Sequence, residues 1–376
     1  MCKIGILGGT FNPIHNGHIE IATRARTQYG LDKIIFLTSG NPPHKQNTEI
    51  LDAKIRHIMV KRAISGIEGF YPCDWEVNRE EYSYTLDALL HFKEVYPGDE
   101  LFFIIGGDSL RDFDKWHKPE EIKKLCTILV YDREGGTADS GFAKVINGEK
   151  IDISSTEIRN AVAEGKDVSD KLPEVVSGFL ERNHIYKKVF DFEEKLRGML
   201  TPERFRHSIG VRDTAVKLAK IYGADEKKAE TAGLLHDNAK NMDNIYERCR
   251  DLEVELDEFE LENPALVHAK LGAETAKCEF GICDKDIINA IRWHTVGRCG
   301  MSLLEKIIFV ADLTEPGRNF PDIPEIREKS LTDLDLALVM CIESVIRVNR
   351  EKGRKIHDNA YKIIEEMKKM KKMKKI

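Results

Sequence analysis

Three absences narrow what this chain can be. Among eight cysteines no two form a C-x-x-C pair, and Cys278 and Cys283 are the nearest neighbours. No secretory leader opens the sequence, so this usage points to reduced thiols in a cytoplasm rather than a disulfide framework. No apolar run approaches the roughly 20 residues of a membrane span, and no membrane role is expected. Surplus positive charge is missing too: 58 Lys and Arg face 64 Asp and Glu, a formal net charge of −6. Bulk attraction for nucleic acid or an anionic surface is therefore not expected, and no basic, aromatic motif of a nucleic-acid reader is present. The one strongly basic stretch is the tail, "EEMKKMKKMKKI" at 365–376. It reads as a frayed, solvated helix end, with a strip for an anionic surface as the other reading.

What is present falls into two patterns without internal repeat. At roughly 100–200 residues per domain, the 376 residues suggest two or three domains. In the first half, "KIGILGG" (3–9), "KIIFLTSG" (33–40), "LFFIIGGD" (101–108) and "CTILVYD" (126–132) read as buried strands. Helical patterns lie between them, at 18–30 and 54–65. Continuous apolar strands separated by helices predict a parallel sheet covered on both faces. From about residue 192 the strand signal is gone, and helical periodicity runs over 204–223, 227–240, 268–281, 286–295 and 302–313. The expectation is an α/β domain over 1–187 and an all-α domain over 192–376, with the boundary near Lys188.

The first strand runs into "GGTFNPIHNGH" (8–18). A glycine turn after the first strand of a parallel sheet brings backbone N–H groups to a helix N-terminus, which is an anion site. The run is neither G-x-G-x-x-G nor a Walker A loop. It carries His15 in the loop and His18 on the first helical turn, where imidazoles donate to oxygens that gain charge as a phosphoryl bond breaks. Capping or core histidines are the plainer alternative. In "ISSTEIRNAV" (153–162), Ser154 with Glu157 fits a capping box, while Ser155, Thr156 and Arg159 also suit a polyphosphate. "NPPHK" brings Lys45, and "GGDS" brings Gly106 and Asp108, to the carboxyl ends of strands, where open α/β sheets bind ligands.

GGTFNPIHNGH, NPPHK, GGDS, Trp116 and ISSTEIR, in this order, resemble the bacterial nicotinate-mononucleotide adenylyltransferases of the H-x-G-H nucleotidyltransferase superfamily. The resemblance covers roughly 1–187, through "FLERNHIY". It implies a Rossmann-like domain that joins ATP, carried with Mg²⁺, to nicotinate mononucleotide. The mononucleotide phosphate attacks the α-phosphorus in line, releasing pyrophosphate and deamido-NAD. Carried over residue by residue, ATP falls to Gly8, Gly9, Thr10, Phe11, His15, His18, Gly106, Asp108, Arg133, Ser155, Thr156 and Arg159. His18 would meet the α-phosphate oxygens, and Lys45 a loop gripping the triphosphate and the mononucleotide. Thr85 and Trp116 would hold the nicotinate ring. His15, His18, Lys45 and Arg159 form the catalytic set. Where the family usually has Arg-Pro-Gly, this chain has Arg133-Glu134-Gly135.

In the second half "LLHDNAK" (234–240) sets His236 beside Asp237. His207, His268, His294 and Asp312 lie on other helical stretches, each at the edge of an apolar stripe. Imidazole and carboxylate ligands suit iron, manganese or zinc, and six ligands with one bridging aspartate suffice for two metals that activate a water and clamp a phosphate. "RFRHSIGV", "AGLLHDNAK", the spaced His268 and "IRWHTVGRCGMSLLEKIIFVADLTEPGR" resemble the HD superfamily of metal phosphohydrolases, nearest the YqeK-type symmetrical diadenosine-tetraphosphate hydrolases. The resemblance spans about 192–350 and implies a dinuclear iron (or Mn²⁺) centre that cuts diadenosine tetraphosphate to two ADP. By it His207, His236, Asp237 and Asp312 hold one metal; His268 and His294, with Asp237 bridging, hold the other. Lys240, Arg298 and Arg318 read as polyphosphate cations or as solvated charge.

The expectation is a bifunctional cytoplasmic enzyme acting on ATP, nicotinate mononucleotide and diadenosine tetraphosphate. Two alternatives stand: the helical domain as a metal-bound nucleotide sensor, and a different adenylyl acceptor such as phosphopantetheine or nicotinamide mononucleotide. A homo-oligomer is left open.

Overall fold

Strands form where β-branched and aromatic residues run unbroken, because such runs are covered on both faces. The computed structural model describes residues 1–41, 50–79, 82, 84–131, 141–187 and 191–373. The chain divides into two units, residues 1–188 and 189–376.

The first unit is built on β1 (Lys3–Gly9), β2 (Lys33–Thr38), β3 (Phe70–Cys73), β4 (Glu100–Gly106), β5 (Thr127–Tyr131) and β6 (Ala143–Val145). All pair in parallel, in the order β3-β2-β1-β4-β5-β6. The four expected strands are the inner ones. The unanticipated β3 and β6 are short edges, with Tyr71 exposed and Pro72 in place of a ladder donor. The helices are α1 (Asn16–Tyr29), α2 (Ala53–Ile64), α3 (Thr85–Val95), α4 (Gly107–Arg111), α5 (Pro119–Leu125), α6 (Ser155–Ala163) and α7 (Glu174–Arg182). On one face Ile4, Ile6, Ile35, Phe103 and Val130 pack against Leu86, Leu89 and Phe92 of α3. The chain winds outward from β1 to β3, returns to β4 beside β1, and winds outward again to β6. The carboxyl ends of β1 and β4 are thus a topological switch point, where the crossovers diverge and leave a crevice.

Arg56 of α2 ties that crevice together. Its side chain is fully buried, and its guanidinium donates to the carbonyls of Leu51 (2.7 Å), Thr10 (2.5 Å), Ser39 (2.7 Å) and Gly40 (3.2 Å). One planar fork therefore joins the segments that follow β1 and β2 to the lead-in of α2.

The second unit is helical: α8 (Phe192–Met199), α9 (Pro202–Tyr222), α10 (Glu226–Leu235), α11 (Ile245–Asp251), α12 (Glu258–Glu262), α13 (Val267–Glu279), α14 (Lys285–Trp293), α15 (Leu303–Thr314), α16 (Ile323–Ser330), α17 (Leu334–Glu351) and α18 (Asp358–Met373). Val211, Ala215, Leu235, Ala273, Ile291 and Ile308 belong to its apolar core. Helix α10 stops at Leu235, short of the expected 240, so His236 and Asp237 sit in the turn just past its end. Among the described residues, no helix is long and apolar enough to cross a membrane.

Arg56→Met would strand the buried carbonyls that the guanidinium serves. It should destabilise the first unit by about 2–4 kcal/mol, read as a lower denaturant midpoint for that unit's transition while the helical unit's transition stays put.

Candidate active sites

A cleft of about 1160 Å³ opens at the switch point between β1 and β4. The turn after β1 forms one wall. Phe11 stands at φ 47°, a left-handed conformation costly for an aromatic residue. That conformation buries its ring edge-on to His18, with centroids 5.1 Å apart. His15 is the N-cap of α1 and His18 its third residue. Their rings stack with centroids 3.8 Å apart. The His15 backbone N–H donates to His18 Nδ1 (3.2 Å). An Nδ1 that accepts leaves the proton of the neutral ring on Nε2, so His18 offers an N–H to the cleft. Gly17 between them is required: a Cβ there would fall 2.9 Å from Ile151 Cγ2 and 3.0 Å from His15 Nδ1.

The start of α6 forms the opposing wall. Ser154 caps it, its Oγ accepting from Glu157 N (3.1 Å), while Ser155 Oγ donates to Pro13 O (2.9 Å). Arg159 donates to Asn12 O (2.9 Å) and Thr156 Oγ1 (3.3 Å). The Ser155 and Thr156 hydroxyls thus brace the Asn12–Pro13 turn and Arg159. What this end offers an anion is the helix N-terminus and the guanidinium.

Of the residues singled out from sequence, Gly8, Gly9, Thr10, Phe11, His18, Thr85, Gly106, Asp108, Trp116, Ser155, Thr156 and Arg159 line this cleft. His15 does not; only 1% exposed, it backs His18 from beneath. Asp108 is paired with Arg111, and Trp116 leans on Phe103 and Phe113. Lys45 and Arg133 lie outside the described residues. Tyr84, Lys115, His117 and Lys118 also line the cleft without having been anticipated. Their only sequence signal was proximity to Thr85 and Trp116.

In the helical unit the six expected donors converge. His207 Nε2 lies 3.0 Å from Asp312 Oδ1 and 3.3 Å from His236 Nε2. Asp237 turns Oδ2 toward His236 (3.7 Å) and His207 (4.0 Å), and Oδ1 toward His268 (3.0 Å) and His294 (3.6 Å). One carboxylate thus presents an oxygen to each histidine pair. The rings are aimed from behind: Nδ1 of His236, His268 and His294 each donates, at 2.7 Å, to the carbonyl three residues back, of Gly233, Ala265 and Ile291. For His236 and His294, just past the ends of α10 and α14, those carbonyls are ones the helix leaves unpaired.

The cluster is largely buried, and the protonation of two of its rings and of both carboxylates suits a cation. Burial pushes His236 and His268 down to about 4, so both are neutral with a free Nε2 lone pair. Burial alone would raise the two aspartates, but the surrounding imidazoles hold Asp237 well below the usual carboxylate range, and His207 with Arg318 does the same for Asp312. Neutral rings and ionised carboxylates are the donor set that divalent metals of borderline softness take. Around the cluster, Arg318 donates to Asp312 Oδ1 (2.6 Å), Arg204 to Asp237 Oδ2 (3.2 Å), and Lys240 Nζ lies 3.3 Å from His268 Nδ1. Arg204 was not anticipated. Arg298 instead grips Glu305 with two bonds (2.6 and 3.0 Å), the carboxylate that completes the capping box of α15.

A cytidylyltransferase-like family model matches residues 6–161, and an HD-domain model matches residues 204–317. A Mycoplasma genitalium protein named "Probable nicotinate-nucleotide adenylyltransferase/Ap4A hydrolase" is 30% identical over 316 residues, covering 84% of this chain and 88% of that protein. A Clostridium kluyveri protein named "Probable nicotinate-nucleotide adenylyltransferase" is 41% identical over 203 residues, covering 50% of this chain and 100% of its own length. The crystal structure of a predicted HD superfamily hydrolase involved in NAD metabolism from Clostridium acetobutylicum is 41% identical, covering 47% of this chain and 95% of that one, at a TM-score of 0.46.

The two-sided use of Asp237 has a measurable consequence. Elemental analysis after loading with a divalent metal should find two ions per chain. His268→Ala should leave one, and Asp237→Ala should leave none or a weakly held remnant. Two ions retained in Asp237→Ala would contradict the bridging assignment.

Proposed function

The chain belongs to the family that couples a nicotinate-nucleotide adenylyltransferase to an HD domain, and from that premise we propose two reactions. The first unit transfers the adenylyl group of ATP to nicotinate mononucleotide. The second hydrolyses diadenosine tetraphosphate to two ADP. What carries the reading is the presence in one chain of a phosphate-ready cleft at a switch point and a buried donor cluster divided by the two oxygens of Asp237.

In the first reaction a phosphate oxygen of the mononucleotide bonds to the α-phosphorus of ATP, the α–β anhydride bond breaks, and pyrophosphate leaves. No group of the protein becomes covalently attached, so catalysis is positioning plus stabilisation of charge. His18 donates from Nε2 to an α-phosphate oxygen, with Nδ1 fixed by the His15 N–H. Arg159 and the N-terminus of α6 receive the departing β- and γ-phosphates. Mg²⁺ bound to the triphosphate would offset its charge. Thr85 and Trp116 hold the nicotinate end of the cleft, and Lys45 adds a cation to the phosphates.

In the second reaction water adds to a phosphorus of the central bridge, the bridging P–O bond breaks, and the two halves leave as ADP with release of two protons. His207, His236, Asp237 and Asp312 would hold one divalent ion, and His268, His294 and Asp237 a second; iron or manganese suits this set. Bound there, the pair supplies an activated water and a clamp on the bridge. The protein itself contributes Arg204, Lys240 and Arg318 as donors to the polyphosphate.

The test is a pair of assays on the full chain: deamido-NAD from ATP and nicotinate mononucleotide, and ADP from diadenosine tetraphosphate with added Fe²⁺ or Mn²⁺. A preference for phosphopantetheine or nicotinamide mononucleotide as acceptor would overturn the first assignment. A metal-loaded protein that releases no ADP would overturn the second and favour a nucleotide sensor.

His18→Ala should lower kcat of adenylyl transfer about a hundredfold, the usual size for losing one donor to a developing oxyanion, with hydrolysis unchanged. His15→Ala keeps the backbone N–H and should cost less. Equal losses would mean that His15 also contacts substrate.

A further inference from the structure

The four histidines of the helical cluster are not anchored alike. His236, His268 and His294 each give Nδ1–H to a backbone carbonyl. His207 has no such carbonyl to use, because it sits inside α9, whose carbonyls are committed to the helix. Its Nδ1 instead meets Glu315 Oε1 at 3.1 Å, across the unit from the residue after α15. We propose that Glu315 is a positioning residue for the first metal site, orienting His207 and strengthening its Nε2 as a donor. The inference rests on the reading of the cluster as a metal centre.

The placement of Glu315 is constrained on every side. The residue is 5% exposed. Its second oxygen accepts from Gly317 N (2.5 Å), and its backbone carbonyl accepts from Arg318 N (3.0 Å) and from the Arg327 guanidinium. The carboxylate lies where two glycines leave room: a Cβ on Gly210 would come 2.6 Å from Oε2, and one on Gly317 2.9 Å from Oε1. Gly210 lies one turn after His207 on α9, so the helix gives up a side chain at the point where the carboxylate reaches the ring. A carboxylate that takes the far N–H of a ligating imidazole fixes its tautomer and raises its basicity more than a carbonyl does. Loss of such a partner typically costs ten- to a hundredfold in metal affinity. Because the other three rings rest on carbonyls, that loss should fall on one site only.

The test titrates metal-stripped full-length protein with Mn²⁺. Wild type should show two sites. Glu315→Gln cannot accept from both His207 and Gly317, and should weaken the site containing His207 about ten- to a hundredfold while the other holds its affinity. A His268→Ala background, which keeps only the first site, reports that loss alone. Gly210→Ala provides a second route: alanine suits a helix interior, so the fold is kept while the new methyl displaces the carboxylate. It should reproduce the site-selective loss, with the metal-free protein keeping a single cooperative thermal transition even where displacement of the carboxylate lowers its midpoint. Two sites in wild type with unchanged affinities in both variants, or equal losses at both sites, would overturn the role of Glu315. A wild type that takes up no Mn²⁺ would overturn the metal reading and this inference with it.

Discussion

An imidazole ring has two nitrogens, and what one of them is bonded to decides what the other can offer. Both candidate sites depend on that constraint, and they resolve it in opposite senses. In the first unit His18 Nδ1 accepts from a backbone N–H, so Nε2 carries the proton and presents a donor. In the second unit Nδ1 of His236, His268 and His294 donates to carbonyl oxygens, which can only accept, so Nε2 carries the lone pair. One arrangement suits negative oxygen and the other suits a cation. The same residue type thus serves two chemistries through the partner placed behind it.

Those partners come from the local course of the backbone. His15 and His18 sit at the start of a helix, where free N–H groups are plentiful. His236 and His294 sit just past the ends of helices, where free carbonyls are plentiful. Helix polarity therefore selects the tautomer before any ligand arrives. His207, in mid-helix, falls outside this logic and uses a carboxylate instead. The charges are balanced in the same economical way. Arg204 and Arg318 each bond an oxygen of Asp237 or Asp312, so the nearly buried carboxylates are not left unpaired, which would be strongly destabilising.

How much of this was legible in the sequence follows the range of the interactions. The inner strands announce themselves because burial on both faces demands an unbroken apolar run, as in "LFFIIGG". The edges "FYPC" and "AKV" carry no such demand. Asp312 and the four histidines stood out because polar residues recurred at the margins of apolar stripes. That pattern does not reveal whether His236 lies inside a helix or beyond it; the end of α10 at Leu235 is decided by packing. His15 was read as a partner of His18 at the phosphates, yet the stacked pair leaves only the outer ring lining the cleft. Arg204 and Glu315 lie inside stretches that carry the resemblance, "RFRHSIGV" and "FVADLTEPGR", yet were not singled out for a simpler reason. Their importance lies in contacts with Asp237 and His207, 33 and 108 residues away, which no local pattern shows.

On the proposed reading the opposed tautomers would also divide the labour of holding polyphosphate. In the first unit the histidine is itself a donor, and the N-terminus of α6 adds unpaired N–H groups, so on the proposed reading the backbone and one ring would recognise phosphate directly. In the second unit His236, His268 and His294 turn lone pairs inward and the two aspartates add negative charge, a surface that repels phosphate on its own. Donors there would come from the flanking Arg204, Lys240 and Arg318, two of which already hold the aspartates. On the proposed reading, recognition of a polyphosphate in the helical unit would therefore depend on cations in a way that recognition in the α/β unit does not. That asymmetry follows from the direction in which four imidazoles face.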